Sequence, residues 1–118
     1  MQTTVVAIPT NEITDWDSFH SVFQALFGFP AFYGRNMNAW IDCMTYLDDL
    51  TSGMARICVD PGQLVALRID DAPDFQLRCP EQYQALIECT ASVNHRRIVL
   101  GEQPVLALLL GGWFREAS

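Results

Sequence analysis

The chain has 118 residues, half of them hydrophobic, which is enough for one buried core and too apolar for a disordered segment. Fourteen carboxylates face seven arginines with no lysine, a net charge of −7 that repels phosphate backbones and argues against direct nucleic-acid binding. The same field keeps a protein soluble and raises its encounter rate with a basic partner.

Thr3 to Ile8 is β-branched and apolar and closes at Pro9, which predicts a buried first strand. Thr14 is placed as the N-cap of a first helix, with Asp17 at its third position near the positive end of the dipole. Trp16, Phe19, Val22, Phe23, Leu26 and Phe27 give that helix a broad apolar stripe, and Gly28 followed by Pro30 stops it. A short loop through Gly34 leads to Asn36, the expected cap of a second helix running to about Gly53. Arg56–Val59 and Gln63–Ile69 then flank Asp60-Pro61-Gly62. Proline presets one central turn position and glycine accepts the positive φ of the next, so a β-hairpin is expected there.

Asp70-Asp71-Ala72-Pro73-Asp74 reads as a polar breaker. Pro80 is suited to the first position of another helix, which carries Tyr83, Leu86, Ile87 and Thr90 on one side and Arg96 and Arg97 at its C-terminal end. Pro104 opens a last strand, Val105 to Leu110, ended by Gly111-Gly112. The first and last strands are continuously apolar, which predicts a sheet covered on both faces. The order strand, helix, helix, strand, helix, strand predicts a small α/β domain with a mostly parallel sheet.

Cys43, Cys58, Cys79 and Cys89 have none of the close spacings of a zinc knuckle or redox dithiol. His20 and His95 are remote from each other in sequence. With no signal-peptide pattern and no apolar run of spanning length, the expectation is a cytoplasmic chain with reduced thiols and no membrane association.

The segment Pro30 to Met44 carries the strongest functional signal. Met37, Trp40, Ile41, Met44 and Leu47 recur at helical intervals and require a core. Asn38, Asp42, Thr45 and Asp49 recur on a different side, a short polar stripe with an acid at its centre. Together with the aromatic loop before it, that stripe suggests a surface for another protein. Asp48 and Asp49 oppose the dipole at the expected helix end and are balanced between a solvent-facing pair and an extension of an acidic surface around Asp42. Seven of the fourteen carboxylates lie between Asp42 and Asp74.

Phe32-Tyr33-Gly34, Asn36, Ala39, the bulky pair Trp40-Ile41 and Asp42-Cys43-Met44 resemble, in register, the signature of the barstar family of barnase-type ribonuclease inhibitors. The resemblance implies one barstar-like domain over residues 1–118, with a three-stranded parallel sheet packed by helices; the hairpin near residues 56–69 would be an addition to that plan. It also implies a non-enzymatic, intracellular inhibitor or immunity protein. Such a protein blocks the active site of a small basic ribonuclease, uses no cofactor or metal, and is monomeric when free.

In that family the central acid, here Asp42, enters the nuclease cleft in place of an RNA phosphate, and the paired aromatics, here Phe32 and Tyr33, lie at the binding edge, although one of the two is expected to be an ordinary core aromatic. Gly34 serves by a positive φ or close approach, Asn36 as a cap. Arg35, Asn38, Ala39, Thr45, Tyr46 and Asp49 complete the expected surface on the motif, and Glu88 on the later helix adds a rim contact. Arg35 and Asn38 stand where the family has acids, so the resemblance implies a cognate nuclease with a rim unlike that of barnase.

The alternative with the same fold is a regulatory module whose protein partner is not a nuclease, because fold alone does not choose the partner. Catalysis, with Asp42 working beside a histidine or a second acid, lacks support in the sequence. No paired carboxylate–histidine motif, phosphate loop or metal cluster accompanies Asp42.

Overall fold

Three short aliphatic runs pair into one parallel sheet. A computed structural model describes residues 3–114. β1 (Thr3–Ala7) pairs with β2 (Leu64–Ile69) from Thr3↔Leu64 to Ala7↔Arg68, and β2 pairs with β3 (Leu106–Leu110) from Val65↔Leu106 to Ile69↔Leu110. The order is β1-β2-β3, so only β2 has a neighbour on each side. Strand alternation places Val6, Val65, Leu67, Ile69 and Leu106 on one face, all buried; on the other, Val5, Arg68 and Leu109 are exposed and Ala66 of the central strand is buried. The expected cover on both faces is therefore corrected. Apolar runs in the two edge strands suggest double burial, yet the apolar stripes of the helices form one hydrophobic cluster with the residues of the first face.

α1 (Trp16–Phe27) begins at Asp15, not Thr14. The Ser18 amide donates to the Asp15 carboxylate at 2.8 Å and the Asp15 amide donates to the Ser18 hydroxyl at 3.0 Å, a reciprocal capping box. Those hydrogen bonds hold the Asp15 carboxyl below its usual range. At the other end Gly28 takes φ 69°, and a Cβ there would lie 2.6 Å from the Arg56 side chain, so both backbone and space require glycine.

α2 (Met37–Thr45) is capped by the Asn36 side chain, which accepts from the Ala39 amide at 2.8 Å. It ends at Thr45, eight residues short of Gly53. The reason lies on α4 (Pro80–Val99). Arg97, 3 % exposed at its side chain, donates to the Thr45 carbonyl at 2.8 Å and to both Asp48 oxygens at 3.0 and 2.6 Å. The chain beyond Thr45 is thus fixed to α4 in place of a continuing helix. Asp49 then caps a 3₁₀ turn over Leu50–Ser52, closed by Gly53 at φ 71°.

The hairpin is also corrected. The turn at Pro61 forms, with the Gln63 amide donating to the Asp60 carbonyl at 3.0 Å and Gly62 at φ 87°. Residues 56–59 do not pair with β2. The Arg56 amide donates to the Phe27 carbonyl at 2.7 Å and the Val59 amide to the Leu47 carbonyl at 2.8 Å. These donors serve the end of α1 and the segment after α2, not a ladder.

The supposed breaker at 70–74 opens a helix, α3 (Ala72–Arg78). Pro73 in its first turn has no amide to lose, Asp74 pairs with Arg78 four residues on at 2.7 Å, and Phe75 is fully buried. α4 starts at Pro80 as expected and buries Tyr83, Leu86, Thr90, Val93 and Arg97 at intervals of three and four. Asn94 fastens it to the head of β3. Its Oδ1 accepts from the Val105 and Leu106 amides at 3.1 Å each, and its Nδ2 donates to the Leu106 carbonyl at 2.9 Å.

Candidate functional site

The aromatic loop before α2 is held from beneath. Tyr33 is only 6 % exposed, and its hydroxyl shares a 2.6 Å hydrogen bond with His20 Nδ1 of α1. Trp16 stacks on that imidazole at 5.9 Å and Phe29 lies 4.9 Å from the Tyr33 ring. Burial keeps His20 neutral by lowering its pKa, helped by the Arg35 charge, and raises the Tyr33 phenol above its usual range. Tyr33 therefore belongs to the core and not to the docking surface. Phe32 points the other way and is 77 % exposed.

Gly34 does not adopt a positive φ; the next residue, Arg35, does, at 53°. A left-handed non-glycine residue costs about 1–2 kcal/mol. Arg35 offsets that cost through α1, donating to the Asp17 carboxylate and carbonyl at 2.8 Å each, to Ser21 at 2.9 Å and to Gln24 at 3.2 Å. Its role is to clamp the loop, and its charge is shared with Asp17.

On α2 the exposed face is shorter than the sequence stripe. Asn38 is exposed, Ala39 half-buried and Tyr46 exposed at the helix end. Thr45 is buried, its hydroxyl donating back to the Ile41 carbonyl at 2.6 Å, so it presents nothing outward. Asp49 is off the helix and serves its own 3₁₀ turn through Thr51. Asp48, placed equally between two surface readings, is in neither: it forms the inward ion pair with Arg97.

Asp42 is half-exposed at 52 %, with Oδ1 2.7 Å from Arg96 of α4 and, among the described residues, no partner for Oδ2. Beside it an open groove of about 370 Å³ is lined by Ile41, Ala91, Ser92, His95 and Arg96. Glu88 lies one turn before Ser92, exposed, and accepts from Gln84 at 3.0 Å while its carbonyl accepts from the Ser92 hydroxyl. The Asp42 carboxylate and the α2–α4 groove thus adjoin at Arg96.

The neighbouring thiol gives no nucleophile. Burial, with the Asp42 charge second, pushes Cys43 up to about 11. His20 faces Tyr33, and His95 makes no hydrogen bond to Asp42 among the described residues. Among those residues no group of three potential metal ligands converges, and no helix is long and apolar enough to cross a membrane.

The acidity concentrated in the middle of the sequence is dispersed in space. Asp70 pairs with Arg68, while Asp71 and Asp74 pair with Arg78. Two supporting residues carry buried roles that the sequence analysis does not assign them, although their spacing marks both. His20 falls on the stripe Trp16, His20, Phe23, Phe27, and Arg97 on the stripe that begins at Tyr83. Both polar side chains lie where the helical period demands burial.

No curated protein matches the chain. A family model described as Barstar (barnase inhibitor) matches residues 3–107. That span takes in β1, β2, all four α-helices and the start of β3, nearly the whole chain, so the chain belongs to the barstar family.

Proposed function

We propose that this protein is a cytoplasmic inhibitor or immunity protein that plugs the active site of a small basic ribonuclease. Asp42 takes the place of an RNA phosphate, and Phe32 packs beside the cleft. The observation that carries this reading is the state of Asp42: half-exposed on a helix fixed at both ends, with one carboxylate oxygen unpartnered among the described residues. A nuclease pocket built to hold phosphate presents arginine, lysine or histidine, and a carboxylate held in place receives charge-assisted hydrogen bonds from such a group. Little side-chain freedom is lost on docking, because the helix already orients the acid. The overall charge of −7 favours approach to a basic enzyme.

The test is titration of a panel of small basic ribonucleases, barnase included, with residual RNA cleavage as readout. The wild-type chain is expected to silence at least one enzyme stoichiometrically. Asp42→Ala is expected to weaken that inhibition by about 2–5 kcal/mol, because the enzyme's cation is left buried and unpaired. Equal inhibition by the variant would exclude Asp42 from the contact.

A further inference from the structure

Arg96 and Arg97 are adjacent on α4 and act in opposite ways. Arg97 is buried and bidentate on Asp48, a permanent fastening. Arg96 is 44 % exposed and reaches Asp42 through a single 2.7 Å contact. We propose that Arg96 is a built-in competitor for the docking carboxylate, a selectivity residue that occupies Asp42 in the free protein and excludes isolated cations from this face. The inference rests on the docking role assigned to Asp42 above.

Three observations support it. Among the described residues Asp42 is the sole carboxylate within ion-pair distance of Arg96, so the two charges answer only each other. The pair is solvent-accessible on both sides, which makes it weak and reversible. Arg96 also lines the open groove with Ile41, Ala91, Ser92 and His95, so its guanidinium can swing aside without disturbing the core.

The consequence is discrimination by donor number. An ammonium group approaching Asp42 meets a carboxylate already neutralised and gains little. A guanidinium fork gains more: it can begin on Oδ2, which has no partner among the described residues, and then replace Arg96 on Oδ1, ending with two parallel hydrogen bonds. The free surface is therefore less adhesive than the −7 charge suggests, and it favours a partner that presents arginine.

The experiment uses the full chain and a hexalysine peptide at low ionic strength, with the backbone amide shifts of Asp42 and Cys43 as the readout. Arg96→Gln keeps a good helix former at an exposed position, and the same spectra report whether the chain is folded. The variant is expected to bind the peptide at α2 about two- to fivefold more tightly than wild type. Arg68→Gln removes an equal charge from the exposed sheet face, where Arg68 pairs with Asp70, and is expected to leave the α2 response unchanged. Asp42→Asn added to Arg96→Gln is expected to abolish the gain.

Equal titration of Arg96→Gln and wild type would overturn the proposal. So would an equal gain from Arg68→Gln, which would mark a general charge effect, or a gain that survives loss of Asp42. No ribonuclease enters the measurement, so its failure leaves the inhibitor reading intact, and failure of the nuclease panel leaves this result standing.

Discussion

The Asp48–Arg97 pair is expected to carry much of the fixation of α2. Asp48→Ala leaves a guanidinium that is 3 % exposed without its carboxylate. Breaking a buried pair by removing one partner costs about 3–5 kcal/mol. Arg97 keeps the Thr45 carbonyl at 2.8 Å and the Gln103 carbonyl at 2.6 Å, and Glu102 lies 3.8 Å away. Those acceptors place the loss at the low end, about 3 kcal/mol. Urea unfolding reads it directly: with m of about 1–3 kcal/mol/M, the midpoint should fall by about 1–3 M at unchanged m. The loss should persist at high salt, because so enclosed a pair is poorly screened. Arg97→Met combined with Asp48→Leu should recover most of it, since neither charge then remains buried. A loss below about 1 kcal/mol for Asp48→Ala, the size of an exposed pair, would refute the claim that this bridge ends α2.

Two further outcomes follow from the aromatic loop. Phe32→Ala should leave stability within about 0.5 kcal/mol of wild type, because the ring is 77 % exposed, while weakening inhibition of a cognate nuclease by about 1.5–3 kcal/mol, the value of burying a phenylalanine. Paired unfolding and inhibition titrations check both halves. His20 has a folded pKa below its ordinary 6.5, chiefly through burial. The unfolded chain takes up that proton first, so stability is full above about pH 6.5 and declines as pH falls toward the lower folded value. His20→Gln should flatten that part of the urea-midpoint profile, and an unchanged slope would show that His20 titrates alike in both states.

Much of the fold was legible because hydrophobic period and punctuation agree. Gly28 and Pro30 end α1, Asn36 caps α2, Pro80 opens α4, and β1 and β3 fall within a residue of their expected limits. The errors arise where long-range contacts override local pattern. The apolar spacing continues through Leu47, and Leu47 is indeed buried, yet the backbone leaves the helix because Arg97, some fifty positions along the chain, takes the Thr45 carbonyl and the Asp48 carboxylate. Arg56–Val59 has strand composition and a competent turn after it, but the Arg56 amide bonds the end of α1 and the Val59 amide bonds Leu47 beyond α2. Asp70–Asp74 mixes breaker and helix-start residues, and the buried Phe75 decides in favour of a helix.

Within the segment proposed to dock, several side chains do other work than their chemistry suggests. Tyr33, Arg35 and Thr45 have the chemistry of contact residues, but each is turned inward or held by α1 or α2 itself. Local spacing cannot reveal this, because it does not show which side of the loop meets α1. The physical effect is preorganisation. The loop is held by Tyr33 on His20 and by Arg35 on Asp17, the helix by Asn36 at one end and Arg97 at the other. Phe32 and Asp42 are then presented with little left to order on binding, apart from one surface ion pair at Arg96. A partner's affinity for this face should therefore depend far more on the fit of its cation to Asp42 than on the area it covers, and loosening the loop by Tyr33→Phe should reduce affinity although Tyr33 itself touches nothing outside the protein.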